Sequence, residues 1–440
     1  MNRKRRSGKP NIRGGLILSG LALALLAVGV VIGLLLPTPL RISGEGEPSP
    51  ARETAAEDAG VPGGARDTPT PKAAESQDGR GRETPSAPEP APSAAPESDA
   101  RVRRLLGEMT LREKICQMLI VLPDSLTGVD GTITAGDITK GALEKYPVGG
   151  LIYFSQNITG AEQIKKFNET VQTYAKIPMF LAVDEEGGRV GRLKTSLAAH
   201  SVGAMLTYKD AGAETAYQNA LTLSAALKQY GFNMDFAPVA DVWSNPANTV
   251  IGDRAYSDSF EQAAALVPAA VRGFRDGEVV CVLKHFPGHG DTSEDSHDGA
   301  AYIRKTPQEL RGAELLPFAA GIGAGADMVM LGHLIVSEID ELPATLSEKI
   351  VTGVLRGELG YDGVVITDAL NMRAMAENYS AEQIAVSAVK AGADILLMPP
   401  GVAKTVDALT RAVERGEIPE SRIDESAARI LALKLSRGIL

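Results

Sequence analysis

The 440-residue sequence predicts an α/β fold, a single (β/α)8 barrel of the TIM type, in residues 99–440. Three features predict it: short apolar runs, helical stretches between the runs, and charged side chains that directly follow several of them. Runs that are apolar throughout, without alternation, are typical of strands buried on both faces, as parallel sheets require. A doubly wound parallel sheet is the second fold that this pattern allows.

Eight apolar runs have the length of a β-strand, and helical patterns separate most of them. The runs are Gln117–Leu122, Gly150–Phe154, Met179–Val183, Phe232–Ala237, Val279–Leu283, Asp327–Leu331, Gly363–Ile366 and Ala393–Met398. The helical stretches include Ala161–Ala175, Ala211–Gln229, Ser259–Arg275, Pro307–Gly321 and Ala381–Ala391. Eight strands that alternate with helices in one domain predict a barrel.

The N-terminal part of the sequence predicts a membrane anchor. Residues 1–15 carry only basic charges and are predicted to form a cytoplasmic tail, whereas Leu16–Leu36 contains no charged residue. As a helix this uncharged run is about 30 Å long, enough to cross the apolar part of a bilayer. We therefore expect a transmembrane signal-anchor helix and a single-pass cell-membrane protein with the remaining chain outside, the alternative being signal cleavage and secretion. Residues 37–98, rich in Pro, Ala and Glu, are predicted to be a disordered linker.

Charge and cysteine content exclude several classes of protein. The net charge is −10, which argues against a nucleic-acid partner. Two cysteines are too few for a disulfide-rich scaffold or for a zinc module with four cysteines or two cysteines and two histidines. Because Cys116 and Cys281 both lie in apolar segments, they are predicted to be buried thiols.

Five polar residues directly follow predicted strands. They are Asp184, Lys284, His285, His333 and Asp368. In a barrel, such positions converge at the carboxyl-terminal ends of the strands, where active sites form. Charged groups crowded at one opening are unfavourable unless they pair or bind a ligand. The sequence therefore predicts a binding or catalytic site at this end of the barrel.

The densest polar cluster is the segment Lys284–Asp298, which contains three of the five histidines of the chain. Its proline and glycines predict a loop, so that His297 can fold back over the end of the barrel. A zinc site is the competing interpretation, because histidine and carboxylate are zinc ligands. The ammonium group of Lys284, next to His285, would repel a divalent cation, so no metal or other cofactor is predicted.

A second cluster spans Asp184 to Arg192 and contains two adjacent glycines, which allow the backbone to approach a ligand closely. Asp184 and Arg192 could form hydrogen bonds with hydroxyl groups or a carboxylate. The segment matches no phosphate-binding glycine pattern, so nucleotide binding lacks support. Arg254 adds a basic residue on another loop, and Asp368, at the end of a buried run, is a candidate nucleophile or electrostatic stabiliser.

At these segments the sequence resembles the family 3 glycoside hydrolases, in particular their bacterial β-N-acetylglucosaminidase (β-N-acetylhexosaminidase) branch. Lys-His-Phe-Pro-Gly-His-Gly from Lys284, followed by Asp-Ser-His at 295–297, is highly specific to that branch. The likeness extends from Leu105 to the C-terminus, and members of the family are (β/α)8 barrels. Glu185 stands where the family usually has glutamine. We expect this extra acid to shift substrate preference slightly.

The resemblance implies a retaining exo-glycosidase that removes terminal non-reducing β-linked GlcNAc from peptidoglycan-derived or related glycans. Asp368 would be the nucleophile that forms a covalent glycosyl-enzyme, and His297, partnered by Asp295, would be the general acid and base. A neutral imidazole adds no repulsion beside an anionic nucleophile, and its pKa suits both roles near neutral pH. By the same resemblance, five residues bind the sugar: Asp184, Arg192, Arg254, Lys284 and His285.

Two further functions remain open at this point. A phosphorylase on the same scaffold would use phosphate instead of water, and a histidine acid/base tolerates that anion better than a glutamate does. A catalytically inactive module that binds the cell wall is the other alternative. The predicted partners are a glycan substrate and, through Leu16–Leu36, a membrane.

Overall fold

The computed structural model describes residues 94–293, 299 and 301–440. Within them, twelve strands form one large parallel sheet, one small parallel pair and one hairpin. In chain order the strands are β1 (Leu119–Val121), β2 (Gly150–Ile152), β3 (Phe180–Val183), β4 (Glu185–Gly187), β5 (Val190–Gly191), β6 (Met234–Asp235), β7 (Val280–Phe286), β8 (Ala301–Ile303), β9 (Met328–Leu331), β10 (Leu334–Val336), β11 (Val364–Thr367) and β12 (Leu396–Leu397).

The large sheet is parallel throughout and nearly closed. Its order is β11–β9–β7–β6–β3–β2–β1–β12. A parallel bridge between Ile366 and Ile395 connects β11 to the residue before β12, the other edge of the sheet. The predicted α/β class and all eight predicted strands are confirmed, in a barrel-like arrangement that is consistent with a TIM-type fold.

Helices follow most of the barrel strands and cover the outside of the sheet. They are α1 (Ala94–Glu108), α2 (Leu111–Gln117), α3 (Pro123–Thr127), α4 (Asp137–Lys145), α5 (Ala161–Tyr174), α6 (Arg192–Leu197), α7 (Gly212–Gln229), α8 (Phe260–Asp276), α9 (Pro307–Gly312), α10 (Leu315–Gly323), α11 (Arg373–Ala376), α12 (Ala381–Ala391), α13 (Val402–Glu414) and α14 (Glu420–Ser436). A π-helix covers Lys349–Glu358, and four short 3-10 segments complete the set in the described residues. α1 begins inside the range 37–98 that the sequence assigned to the linker.

Four of the five predicted helical stretches coincide with single helices to within one residue at each end. The fifth, predicted over Pro307–Gly321, is divided into α9 and α10 at Ala313 and Glu314. Pro317 explains the division, because proline has no N–H to donate to the carbonyl of Ala313 and its ring would clash with that carbonyl. At the third position of α10 the missing N–H costs nothing, since it would have no partner within the helix.

The strands form the centre of the hydrophobic core. All seven residues of β7 are buried, including the charged side chain of Lys284. Cys116 and Cys281 are free thiols with no exposed surface, as predicted. Burial raises the pKa of Cys116 to about 12, so its thiol stays protonated and inert at neutral pH.

The predicted cell-membrane location is wrong for the part of the chain that the structure describes. No helix there is both long and apolar enough to cross a bilayer. The predicted span Leu16–Leu36, the predicted tail 1–15 and the linker up to residue 93 lie outside the described residues. We therefore withdraw the prediction of a cell-membrane location and of a membrane as a partner.

Candidate active site

A cavity of about 660 Å³ lies at the carboxyl-terminal ends of the barrel strands. Residues at or just after the ends of β2, β3, β7, β9, β11 and β12 line it. Six of the eight predicted site residues contribute to the lining: Asp184, Arg192, Arg254, Lys284, His285 and Asp368. The other two, Asp295 and His297, lie outside the described residues. The predicted convergence at this end of the barrel is therefore observed for these six residues.

The hairpin formed by β4 and β5 builds one wall of the cavity. Gly187 and Gly188, at its turn, have φ values of 87° and 57°, which favour glycine. A Cβ atom on Gly188 would lie 2.7 Å from the Cα of Ala204, so a side chain does not fit there. This tight turn brings Arg192 back beside Asp184, the residue between β3 and β4.

Five charged side chains form an ion network on this wall. The Lys284 ammonium group lies 3.0 Å from Oδ1 of Asp184 and 2.6 Å from Oε1 of Glu186. Arg192 donates to Oδ2 of Asp184 at 3.1 Å. Arg254 donates through Nε and Nη2 to the two oxygens of Glu186, both at 2.8 Å. Such paired N–H···O contacts between guanidinium and carboxylate fix orientation as well as distance.

Mutual pairing keeps the network charged despite its burial. Burial alone would raise the pKa of Asp184 and Glu186, but the neighbouring cations outweigh it and lower both values. Burial would likewise lower the pKa of Lys284, yet Glu186 and Asp184 raise it above its ordinary value. At neutral pH all three groups are therefore ionised.

The network retains hydrogen-bonding capacity for a ligand. Of the three N–H donors of Lys284, two point to carboxylates, which leaves one over. Among the described residues, Nε of Arg192 is buried without a hydrogen-bond partner, and the guanidinium group lies 4.9 Å from the ring centroid of Phe154. Each oxygen of Asp184 accepts one hydrogen bond and can accept another. Donors and acceptors thus alternate along the wall, as neighbouring hydroxyl groups require.

Asp241 fixes the ring of His285. Its Oδ2 atom lies 2.7 Å from Nδ1 of His285, and its carboxylate also accepts from the backbone N–H groups of His285 and His289. A carboxylate at this distance favours the proton on Nδ1 and leaves Nε2 as the ring's other hydrogen-bonding atom. Burial would raise the pKa of Asp241, but His285 lowers it. Sequence reasoning missed Asp241; its only signal is its place after the apolar segment that follows β6.

Asp368 lies directly after β11 and lines the cavity. Its Oδ1 atom accepts from the N–H of Ala369 at 2.7 Å. The carbonyl of the same Ala369 lies 3.0 Å from Nε2 of His333, whose Nδ1 lies 2.8 Å from Oγ1 of Thr345. His333 was expected beside the other polar residues, but it is buried and is not part of the cavity lining. It supports the backbone that carries the nucleophile candidate.

The two adjacent glutamates of β4 have different environments. Glu186 joins the ion network, whereas Glu185 accepts from the backbone N–H of Leu193 at 2.8 Å and from Ser201 at 3.3 Å. Burial raises the pKa of Glu185. Glu185 was expected to shift substrate preference slightly, but its side chain is not part of the cavity lining. Glu186, which was not singled out, contacts two predicted sugar-binding residues.

Residues 110–433 match the glycosyl hydrolase family 3 N-terminal domain. The chain belongs to glycosyl hydrolase family 3. The family resemblance expected from the motifs at Asp184 and Lys284 is thereby confirmed.

Several family 3 relatives carry hexosaminidase names. The chain is 34% identical over 322 residues to beta-hexosaminidase A of Pseudoalteromonas piscicida, covering 66% of this chain and 54% of the relative. It is 34% identical over 279 residues to a beta-hexosaminidase of Stenotrophomonas maltophilia, covering 62% of this chain and 82% of the relative. A solved family 3 beta-N-acetylglucosaminidase from Paenibacillus is 40% identical with a TM-score of 0.70, and the match covers 75% of this chain and 63% of that one. The chain thus spans less than two thirds of two of these three relatives.

Proposed function

We propose that this family 3 chain is a retaining exo-β-N-acetylglucosaminidase that hydrolyses terminal non-reducing β-GlcNAc from peptidoglycan-derived or related glycans. One observation carries the proposal: the cavity combines a candidate nucleophile, Asp368, with a wall of charged groups suited to hydroxyls. Its volume of about 660 Å³ is within the range of small-ligand sites. The names of the relatives agree with this substrate class.

The ion network would hold the non-reducing sugar. Asp184 would accept from one or two hydroxyl groups, while Lys284, Arg192 and Arg254 would donate to their oxygens. Nε2 of His285, held in place through Asp241, would add one more polar contact. Because these side chains are already fixed by one another, little ordering entropy is lost when the sugar binds.

The reaction would proceed in two displacement steps. A carboxylate oxygen of Asp368 would attack the anomeric carbon and form an ester bond to it, while the bond to the leaving oxygen breaks and His297 gives that oxygen a proton. In the second step His297 would take a proton from water, whose oxygen attacks the anomeric carbon and frees Asp368. Asp295 would orient the imidazole of His297. Two inversions at the same carbon give net retention.

The test is hydrolysis of p-nitrophenyl β-N-acetylglucosaminide by the full chain. We expect release of p-nitrophenol, a β-configured first product by NMR, and a much weaker reaction with the corresponding β-glucoside. His297→Ala should lose most activity towards natural glycans, whose leaving groups need a proton, and less towards the p-nitrophenyl glycoside. An inactive wild-type protein, or an α-configured first product, would overturn the proposal.

The phosphorylase alternative has less support, since three relatives that are 34–40% identical carry hexosaminidase or acetylglucosaminidase names. The same assay in phosphate buffer separates the two reactions. Free N-acetylglucosamine as the sole sugar product supports hydrolysis, whereas its 1-phosphate identifies a phosphorylase. Binding to cell walls without any turnover would indicate the inactive module.

A further inference from the structure

The function proposed above depends on where Lys284 and Arg254 point, and one nearly buried side chain, that of Glu186, contacts both. We propose that Glu186 is a positioning residue, which fixes the Lys284 ammonium and the Arg254 guanidinium in the geometry that sugar binding requires. This inference rests on the proposed glycosidase function and adds a residue to it.

Three hydrogen bonds from protein donors occupy most of the acceptor capacity of the Glu186 carboxylate. Its Oε1 atom accepts from Lys284 at 2.6 Å and from Nη2 of Arg254 at 2.8 Å, and its Oε2 accepts from Nε of Arg254 at 2.8 Å. The residue is only 4% exposed although it borders the cavity. With three charge-assisted hydrogen bonds already formed, its carboxylate acts on the ligand through the two cations and not directly.

The backbone around Glu186 gives it little freedom. It is the middle residue of β4, one residue before the two glycines whose turn admits no side chain. Arg254 is held from the other side, because its Nη1 donates to the carbonyl of Val250 at 3.1 Å. Glu186 thereby ties the β4–β5 hairpin to the segment 250–254, and Lys284 ties both to β7.

The charges around Lys284 show what the loss of Glu186 would do. Asp184 and Glu186 face its ammonium group as carboxylates, and the positive charge of Arg254 repels it. Asp235 also interacts electrostatically with Lys284. Burial raises the pKa of Asp235 well above its ordinary value, which weakens Asp235 as a source of negative charge for Lys284. Without the charge of Glu186, Lys284 would keep one carboxylate partner and its pKa would fall.

Glu185 supplies a matched control in the same strand. It is also a buried acid, 1% exposed, but its carboxylate accepts from Leu193 and Ser201 and touches neither cation. Burial raises its pKa, and Glu185→Gln keeps the size of the side chain while removing any charge. Glu185→Gln and Glu186→Gln therefore make the same chemical change on adjacent residues with different partners.

The experiment compares wild type, Glu186→Gln, Glu186→Asp and Glu185→Gln as full chains. For each we would measure kcat and KM on p-nitrophenyl β-N-acetylglucosaminide, and the Ki of free N-acetylglucosamine from pH 6 to pH 10. In Glu186→Gln the amide nitrogen is a donor that faces other donors, and kcat/KM should fall by about 10- to 100-fold. Glu185→Gln should stay within about twofold of wild type.

The pH dependence of Ki distinguishes positioning from a general loss of structure. Binding by Glu186→Gln should weaken on the alkaline side at a pH about 1–3 units lower than in wild type, because Lys284 loses its proton earlier. Glu186→Asp keeps the charge but shortens the side chain, so its kcat/KM should fall while its pH dependence stays that of wild type. If Glu186→Gln does not fold, as judged by circular dichroism, Glu186→Asp alone decides the question.

The outcomes separate this inference from the proposed function. An inactive wild type removes the function, whatever the variants do. An active wild type with equal kcat/KM and equal pH dependence in Glu185→Gln and Glu186→Gln overturns the positioning role alone. Wild-type kcat/KM in Glu186→Asp overturns it as well.

Discussion

Two fully buried lysines, Lys284 and Lys434, lie near opposite ends of the barrel, and their surroundings differ. Lys284, near the carboxyl ends of the strands, contacts two carboxylates, and its pKa is raised. Lys434, on α14, donates to the amide oxygen of Gln117 at 2.8 Å and lies 5.0 Å from the ring centroid of Phe180. Burial lowers the pKa of Lys434 to about 7. Two lysines that are about equally buried thus have opposite pKa shifts, and the charge of their partners decides the direction.

Two aspartates near opposite ends of the barrel also differ in what surrounds them. Asp394, just before β12, has no exposed surface and is surrounded by donors: Arg356 at 2.7 Å, Ser426 at 2.7 Å, Arg422 at 3.3 Å and Arg429 at 3.4 Å. Asp368, just after β11, borders the cavity. The partners of Asp394 are all parts of the fold, whereas Asp368 and the ion network retain surface towards a ligand. The fully buried Asp394 is therefore surrounded by partners within the fold, whereas the partly buried Asp368 borders the cavity.

Replacement of Asp368 gives the largest expected effect on activity. Asp368→Asn removes the nucleophile while keeping its size, and kcat/KM should fall by at least about 1,000-fold. The melting temperature should change little, because the side chain is only partly buried. Turnover of p-nitrophenyl β-N-acetylglucosaminide and a thermal melt on the same sample check both parts. Wild-type turnover in this variant would contradict the assignment of Asp368 as nucleophile.

Asp394→Asn should show the reverse pattern. Three arginines would lose their shared carboxylate, and the free energy of unfolding should fall by about 3–5 kcal/mol. The folded protein should keep kcat/KM within about twofold of wild type, because this site is remote from the cavity lining. Urea unfolding and the same turnover assay measure the two quantities. A large loss of turnover in the folded variant would mean that the surroundings of Asp394 affect the cavity at the other end of the barrel.

Lys434→Met should stabilise the protein in a pH-dependent way. The unfolded chain holds the lysine proton up to about pH 10.4, whereas the folded chain releases it near pH 7. Wild-type stability therefore rises with pH between these values, and the penalty for burying the charge is complete below about pH 7. The variant should gain about 2 kcal/mol at pH 6, after the cost of leaving Gln117 without its donor, and less at pH 9. Urea unfolding at the two pH values tests this, and equal gains would contradict it.

His333→Gln should give a smaller effect on activity. It weakens the support of Ala369, whose N–H group donates to Asp368. We expect kcat to fall by about 10-fold with little change in KM, because the sugar-binding wall is not altered. A rise in KM with unchanged kcat would place the role of His333 in substrate binding instead.

The sequence was sufficient to predict the sheet. Apolar runs without alternation identify buried parallel strands, and each of the eight runs overlaps one. The extent of β7 was not predictable in the same way, because Lys284 and His285 looked like the residues that end it. They remain in the strand because Asp184, Glu186 and Asp241, distant in sequence, satisfy their charges and hydrogen bonds.

The site was predictable in its residue types and less so in its contacts. Successive residues of a strand face opposite sides, so one of the adjacent Glu185 and Glu186 had to face the cavity. Which of the two glutamates faces the cavity depends on the register of the β4–β5 hairpin, and that register cannot be derived from the sequence. Asp241 was missed for a related reason, because its partners lie 44 and 48 residues away.

The wall of the cavity also has a consequence for how the ligand arrives. Four cations, Arg189, Arg192, Arg254 and Lys284, border the cavity together with three carboxylates, Asp184, Glu186 and Asp368. A fourth carboxylate, Asp253, pairs with Arg189 at 3.0 Å and completes the balance. This local balance contrasts with the net charge of −10 of the whole chain. An uncharged sugar should therefore reach the site without long-range attraction or repulsion, and KM should hardly change between low and high sodium chloride.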